Sequence, residues 1–151
     1  MENFRVNEET WEYIVRDPEG PGSRYLNDKA EEVIAVAQSL IEAPDKAGEL
    51  YTHGFFRREG RLYALRGGNW GRTYPHLASA PGQAPAFWMG KLLGSFFYES
   101  AGSRARAGAA NEVVIGNNAP EAIWMELGTR YNEPRPFLRP ALDVVIGNDN
   151  G

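Results

Sequence analysis

Residues 28 to 42 carry the one pattern in the chain that leaves almost no choice of structure. Ala30, Val33, Ile34, Ala37, Leu40 and Ile41 recur at three- and four-residue spacing, which gathers them on one face of a helix. Asn27 or Asp28 can cap its start, with Glu31 at the capping-box position relative to Asp28. Pro44 ends it, because the proline ring disfavours helical geometry at Ala43. Glu31, Glu32, Gln38 and Glu42 are left for water or for a neighbouring subunit.

The other elements are shorter. Phe4, Val6, Trp11, Tyr13 and Val15 alternate, which predicts a half-buried strand or extended arm over residues 1–16. The segment Asp17-Pro18-Glu19-Gly20-Pro21-Gly22 reads as a loop that ends it, so residues 1–26 form an N-terminal arm. Tyr51, Phe55, Phe56, Leu62, Tyr63 and Leu65 flank the turn-like Arg58-Glu59-Gly60-Arg61 and predict a hairpin over residues 50–66. From Gly67 to Pro85, glycine and proline suppress periodicity, and a loop of that length is expected to pack on a partner. Gly90 to Ser100 is a short apolar element, and Glu112-Val113-Val114-Ile115-Gly116 favours a buried strand. Ala119 to Leu127 reads as a short helix with Pro120 in its first turn, Ala122, Ile123, Glu126 and Leu127 at helical spacing, and Gly128 at its end. Arg139 to Ile146 is compatible with helix or strand, since Val144, Val145 and Ile146 are β-branched. These elements predict an α+β fold in one domain, residues 1–151. One long helix packs on a small, mainly antiparallel sheet, with an extended N-terminal arm and a hairpin and long-loop insertion over residues 45–85.

Composition narrows the functional classes. A chain of 151 residues has the usual size of one core. No apolar run approaches the ~20 residues of a membrane span, and the start Met1-Glu2-Asn3-Phe4-Arg5-Val6 lacks a secretory pattern, so a soluble protein folding where it is made is expected. Without cysteine there is no disulfide, thiolate nucleophile or cysteine-ligated metal. A net charge of −4 argues against a protein that grips nucleic acid with its whole surface.

Groupings able to carry catalysis are sparse. His53 and His76 are 23 positions apart, the carboxylates Glu31, Glu32, Glu42, Glu121 and Glu126 have no accompanying signature, and Arg66-Gly67-Gly68-Asn69-Trp70-Gly71 follows no strand-to-helix transition. No catalytic, cofactor or metal site is expected, and hence no enzyme. Arg57, Arg58, Arg61, Arg66 and Arg72, interleaved with Phe55, Phe56, Tyr63, Trp70 and Tyr74, combine charge with stacking surface as single-strand nucleic-acid sites do. A hairpin with one apolar and one arginine-rich face has the same composition, as do protein interfaces, and the expectation is a subunit interface ahead of DNA contact.

Two segments carry a family resemblance. One runs Ser79-Ala80-Pro81-Gly82-Gln83-Ala84-Pro85-Ala86-Phe87-Trp88-Met89-Gly90-Lys91-Leu92-Leu93-Gly94-Ser95. The other runs Ala119-Pro120-Glu121-Ala122-Ile123-Trp124-Met125-Glu126-Leu127-Gly128-Thr129-Arg130, followed by Pro134-Arg135-Pro136-Phe137-Leu138-Arg139-Pro140-Ala141-Leu142-Asp143. In their order and spacing they resemble the lambdoid-phage family of minor tail components, also described as tail-completion or head-tail joining proteins. Met89 stands where that family has Thr, and Leu127 where it has an aromatic residue. The resemblance covers residues 79 to 143 well and 28 to 44 weakly.

What the resemblance implies is a structural protein of the virion neck, assembled in the host cytoplasm. It would form a ring of identical subunits, most simply a hexamer, between head connector and tail tube, with viral DNA passing non-specifically through the lumen. Joining protein, head stopper and tail terminator are all open. Its expected partners are its own copies and the other neck and tail proteins, with no membrane and no cofactor. The matched residues Glu126, Gly128, Thr129, Arg130, Arg135, Phe137, Leu138 and Arg139 become the candidate interface. Gly128 and Thr129 form a turn, and Pro134, Pro136 and Pro140 stiffen the segment that presents Phe137 as its anchor. Arg57, Arg58, Arg61, Arg66, Trp70 and Arg72 are the second candidates, facing a neighbour or DNA. A nucleic-acid-binding module built on the same arginines is the alternative from another class.

Overall fold

The computed structural model describes residues 7–58, 61–65, 73–87, 90–100 and 112–149. It begins with a helix, α1 (Glu8–Val15), where an extended arm was expected. Asn7 caps it, its side-chain oxygen accepting from the Glu9 amide at 3.1 Å, and Glu8 and Glu9 place negative charge in the first turn, where the helix dipole favours it. Arg16 donates to Glu12 one turn back at 3.0 Å. No residue of α1 is buried, so the alternation that suggested a strand has no core to answer to.

The long helix, α2 (Pro21–Glu42), starts two turns before the expected Asn27 or Asp28 cap. Pro21 suits the first helical position, where its missing amide would have had no partner, and Gly20 precedes it in extended geometry. Glycine is required here by proximity. A Cβ on Gly20 would lie 2.1 Å from the Tyr13 carbonyl oxygen, and one on Gly22 would lie 2.3 Å from that of Ile14, so α1 packs onto the start of α2 only because both positions lack a side chain. Ser23, buried at this junction, donates to the Asp17 carbonyl at 2.7 Å. The far end falls as expected. Ala43 is extended (ψ 131°) before Pro44, and the Lys46 ammonium donates to the carbonyls of Leu40 (2.6 Å) and Ala84 (3.2 Å), a cation at the negative end of the helix. Burial pushes the Lys46 pKa down, against the opposing effect of Asp45.

The insertion is a three-stranded antiparallel sheet, β1 (Leu50–Arg58), β2 (Arg61–Leu65) and β3 (Thr73–Leu77), in the order β2-β1-β3. The hairpin is where it was expected. The strand β3 lies in what read as loop, with Pro75 opposite Thr52 on an edge strand, where a missing amide is tolerated. Arg57 pairs with Leu62 and Arg58 with Arg61. The insertion leaves and rejoins the body at one place. The Gly48 amide donates to Ala78 and the Ala78 amide to Glu49, both at 2.9 Å. Gln83 closes this neck, its oxygen accepting from the amides of Ala47 and Ala80 at 3.0 Å and its nitrogen donating to the Asp45 carbonyl at 3.2 Å.

The body is α+β, as expected. After a turn of 3-10 helix at Leu93–Ser95, β4 (Phe96–Glu99) pairs antiparallel with β5 (Val114–Asn117), and α2 packs on this small sheet. The β5 run is half-buried, not buried. Tyr98 ties the sheet to α2 by donating to Glu31 at 2.8 Å, a bond that raises the tyrosine pKa. The short helix α3 (Ala122–Leu127) and the last helix α4 (Leu138–Asp149) complete the body. Helix wins over strand in α4 because Phe137, Ala141 and Val145 then fall on one face against Val33, Ala37 and Ile41 of α2, with Ala119 and Ala122 closing the core. Packing of an apolar face outweighs the few tenths of a kcal/mol that β-branching costs a helix.

Candidate subunit interface

The motif residues that suggested an interface come together as one structural unit. Helix α3 ends where the Gly128 amide donates to the Trp124 carbonyl at 2.9 Å. Gly128 itself has φ 74° and ψ −177°, a region essentially confined to glycine and not the left-handed helical one that a helix end usually takes. A Cβ there would meet the Asn132 oxygen and the Pro134 nitrogen at 2.9 Å. The chain then reverses: the Thr129 hydroxyl accepts from the amides of Tyr131 (3.2 Å) and Asn132 (3.1 Å), and the Thr129 amide donates to the Asn132 carbonyl at 2.8 Å. On the way back the Arg135 amide donates to the Met125 carbonyl at 2.7 Å, and its Nε donates to the Ser79 carbonyl at 3.1 Å.

Glu126 locks the unit. Its Oε2 accepts from the amides of Phe137 (2.8 Å) and Leu138 (3.0 Å), and its Oε1 from Arg139 (2.9 Å). One carboxylate thereby satisfies three of the donors that the start of α4 leaves open, at the positive end of the helix dipole. The Gly82 amide, donating to the Pro134 carbonyl at 3.0 Å, joins the first matched segment to the second.

Phe137 has a different role from the one expected. Its side chain is 0% exposed and meets Phe96 edge-on at 5.7 Å and 86°, so it fills this chain's own core and presents nothing to a neighbour. The prolines around it turn the segment inward. Leu138 is half-buried against the same core, and Glu126, Gly128 and Arg135 are engaged in holding the unit together. Of the candidate interface residues, Thr129, Arg130 and Arg139 remain exposed.

The surface that the unit does present was missed by sequence reasoning. Ile123, Trp124 and Leu127 are 60–63% exposed, and Tyr131 in the following turn is 76% exposed. Ala122 is buried and Glu126 half-buried, while Ile123 and Leu127, about 100° further round the helix, are exposed, so the helical spacing shared by these four does not place them on one side. The available signal was the run Ile123-Trp124 on a helix of six residues, too short to bury both sides. The Arg130 guanidinium stands over the Tyr131 ring, 4.3 Å from its centroid, and donates to the Tyr131 hydroxyl, fixing a cation on the rim of the apolar patch. A second exposed apolar surface lies on α1, where Trp11, Tyr13 and Ile14 are 40–54% exposed beside Glu8, Glu9 and Glu12.

Arg57, Arg58 and Arg61 lie at the turn end of the β1–β2 ladder, their side chains outside the description, and Arg66, Trp70 and Arg72 are outside the described residues. The β1–β3 register, with Tyr51 opposite His76 and His53 opposite Tyr74, sets the two histidines at diagonal positions despite their distance in sequence. Among the described residues no group of three His, Asp or Glu is placed to hold a metal ion, and no helix there is long and apolar enough to cross a membrane. Comparison of the chain with family models, with curated proteins and with solved structures finds no match.

Proposed function

We propose that the chain is a structural subunit of a tailed-phage neck, forming a closed ring that joins the head connector to the tail tube around the DNA channel. One observation carries the reading. The unit built from the two segments that resemble the phage family spends its polar groups on its own rigidity and turns Ile123, Trp124, Leu127 and Tyr131 outward. Groups held this firmly, with large apolar side chains on the outside, suit a contact surface more than a reaction centre.

The balance of the core points the same way. Among the described residues only Phe137, Ile41 and Val145 are large apolar side chains exposed by less than 2%, while α1, α3 and α4 all carry large apolar side chains on the surface. In a ring each copy covers its neighbour, which removes such surface from water without enlarging the subunit. A net charge of −4 suits a wall past which DNA slides, since negative charge repels phosphates. The partners are other copies and the adjoining neck and tail proteins, and the site of action is the virion.

The test is a reconstruction of particles of the phage that encodes the chain. A ring of copies between the head and the tail tube is expected, with the level in the neck distinguishing joining protein, stopper and terminator. A single isolated copy, or a position away from the neck, overturns the reading.

A further inference from the structure

The exposed apolar surfaces of α1 and α3 complement each other, and we infer that α1 of one copy docks on the α3 face of the next. The inference rests on the reading of the chain as a ring subunit and names the contact that builds the ring.

Charge decides which surface meets which. Residues 8–16 hold Glu8, Glu9 and Glu12 against the single cation Arg16. Beside α3, Glu121 pairs with Lys91, Glu126 is taken up by the α4 amides and Arg135 is tied to the Ser79 carbonyl, which leaves Arg130 and Arg139 exposed against the exposed Glu133. An α1–α1 or α3–α3 contact would bring like charges together. The α1–α3 contact brings carboxylates to guanidiniums around an apolar centre, the arrangement that fixes register between protein partners. The apolar centres also fit. Trp11 and Ile14 fall on one side of α1 at three-residue spacing, and Ile123, Trp124 and Leu127 on one side of α3. Neither surface is covered by the described residues: no residue of α1 is buried, and the three on α3 are at least 60% exposed. Because the two surfaces differ, the contact runs head to tail, and such contacts close into rings when the rotation between copies permits.

Two single-surface variants test this in solution. Trp11→Glu spoils α1 and leaves α3 intact; Trp124→Glu does the reverse. Both sites are exposed, and circular dichroism confirms that each variant is folded. The full chain at high concentration is expected to show species larger than one copy by light scattering, and each variant alone a single copy. The two variants mixed are expected to form a one-to-one dimer and nothing larger, since one intact α1 then meets one intact α3. Glu8→Arg with Glu9→Arg, which keeps the apolar centre, is expected to behave as Trp11→Glu does. Self-association of Trp11→Glu alone, no dimer in the mixture, or an unmodified chain that stays a single copy each overturns the contact. None of these results moves the chain's place in the virion, which the reconstruction decides separately.

Discussion

At Gly128 the backbone adopts a conformation that side-chain-bearing residues almost never take, and the space a Cβ would need is filled by the backbone of Asn132 and Pro134. Gly128→Ala is therefore expected to cost about 1–3 kcal/mol of stability, read from urea denaturation. Asparagine, often accepted at helix ends of left-handed geometry, gives no relief where ψ is near 180°, so Gly128→Asn should be no milder than the alanine variant. Phe137 tests a different property. Among the described residues it is the largest fully buried side chain; it fills the space between α2, α4 and Phe96, and Phe137→Ala is expected to cost about 3–5 kcal/mol. Against a typical total of ~5–15 kcal/mol, that is enough to leave the chain poorly folded. A cooperative thermal transition close to that of the unmodified chain would mean that the core does not depend on this ring.

Among the elements, α4 depends on a carboxylate that lies outside it. Glu126→Gln keeps the shape but leaves one acceptor oxygen where two served three amides, and it removes the charge that the helix start favours. A loss of about 1.5–3 kcal/mol is expected, the range for hydrogen bonds to a charged partner. Amide exchange should show it first at Phe137, Leu138 and Arg139, before the rest of α4; uniform protection along the helix would reject Glu126 as its lock. How legible each element was in the sequence follows from where its cause lies. The end of α2 at Pro44 and the turn at Gly128 rest on local stereochemistry and are visible in a few residues. The start of α2 was hidden because Pro21 and the two glycines look like a loop until α1 is there for Gly20 and Gly22 to receive. The strand β3 was hidden because its cause is the distant β1, and its proline is harmless only on an edge. In α1 the alternation of Trp11, Tyr13 and Val15 skipped Ile14, and the cap that starts the helix is the one side chain of Asn7. At the candidate interface the turn of Gly128 and Thr129 was legible from local stereochemistry and Glu126 only from the family resemblance, whereas the outward turn of Trp124 and the inward turn of Phe137 depend on which side of a short segment meets the core.

On the scale of the whole molecule, the neck at Gln83 separates the three-stranded insertion from the body. Replacing residues 50–77 with a short glycine-rich turn leaves in place the core described between α2, α4, Phe137 and Ala122. The shortened chain is expected to keep a cooperative transition and the hydrogen bonds around Glu126, checked by calorimetry and by amide exchange. Loss of the transition would show that the sheet supports the body after all. The junction between α1 and α2 bears on a different quantity. With the carbonyls of Tyr13 and Ile14 seated against Gly20 and Gly22, this close approach sets the angle at which α1 leaves α2. In a ring built through α1 that angle is the wedge each copy contributes to the full circle. A methyl group at Gly20, which must push α1 aside, would then change how many copies complete the circle more than how tightly any two of them hold.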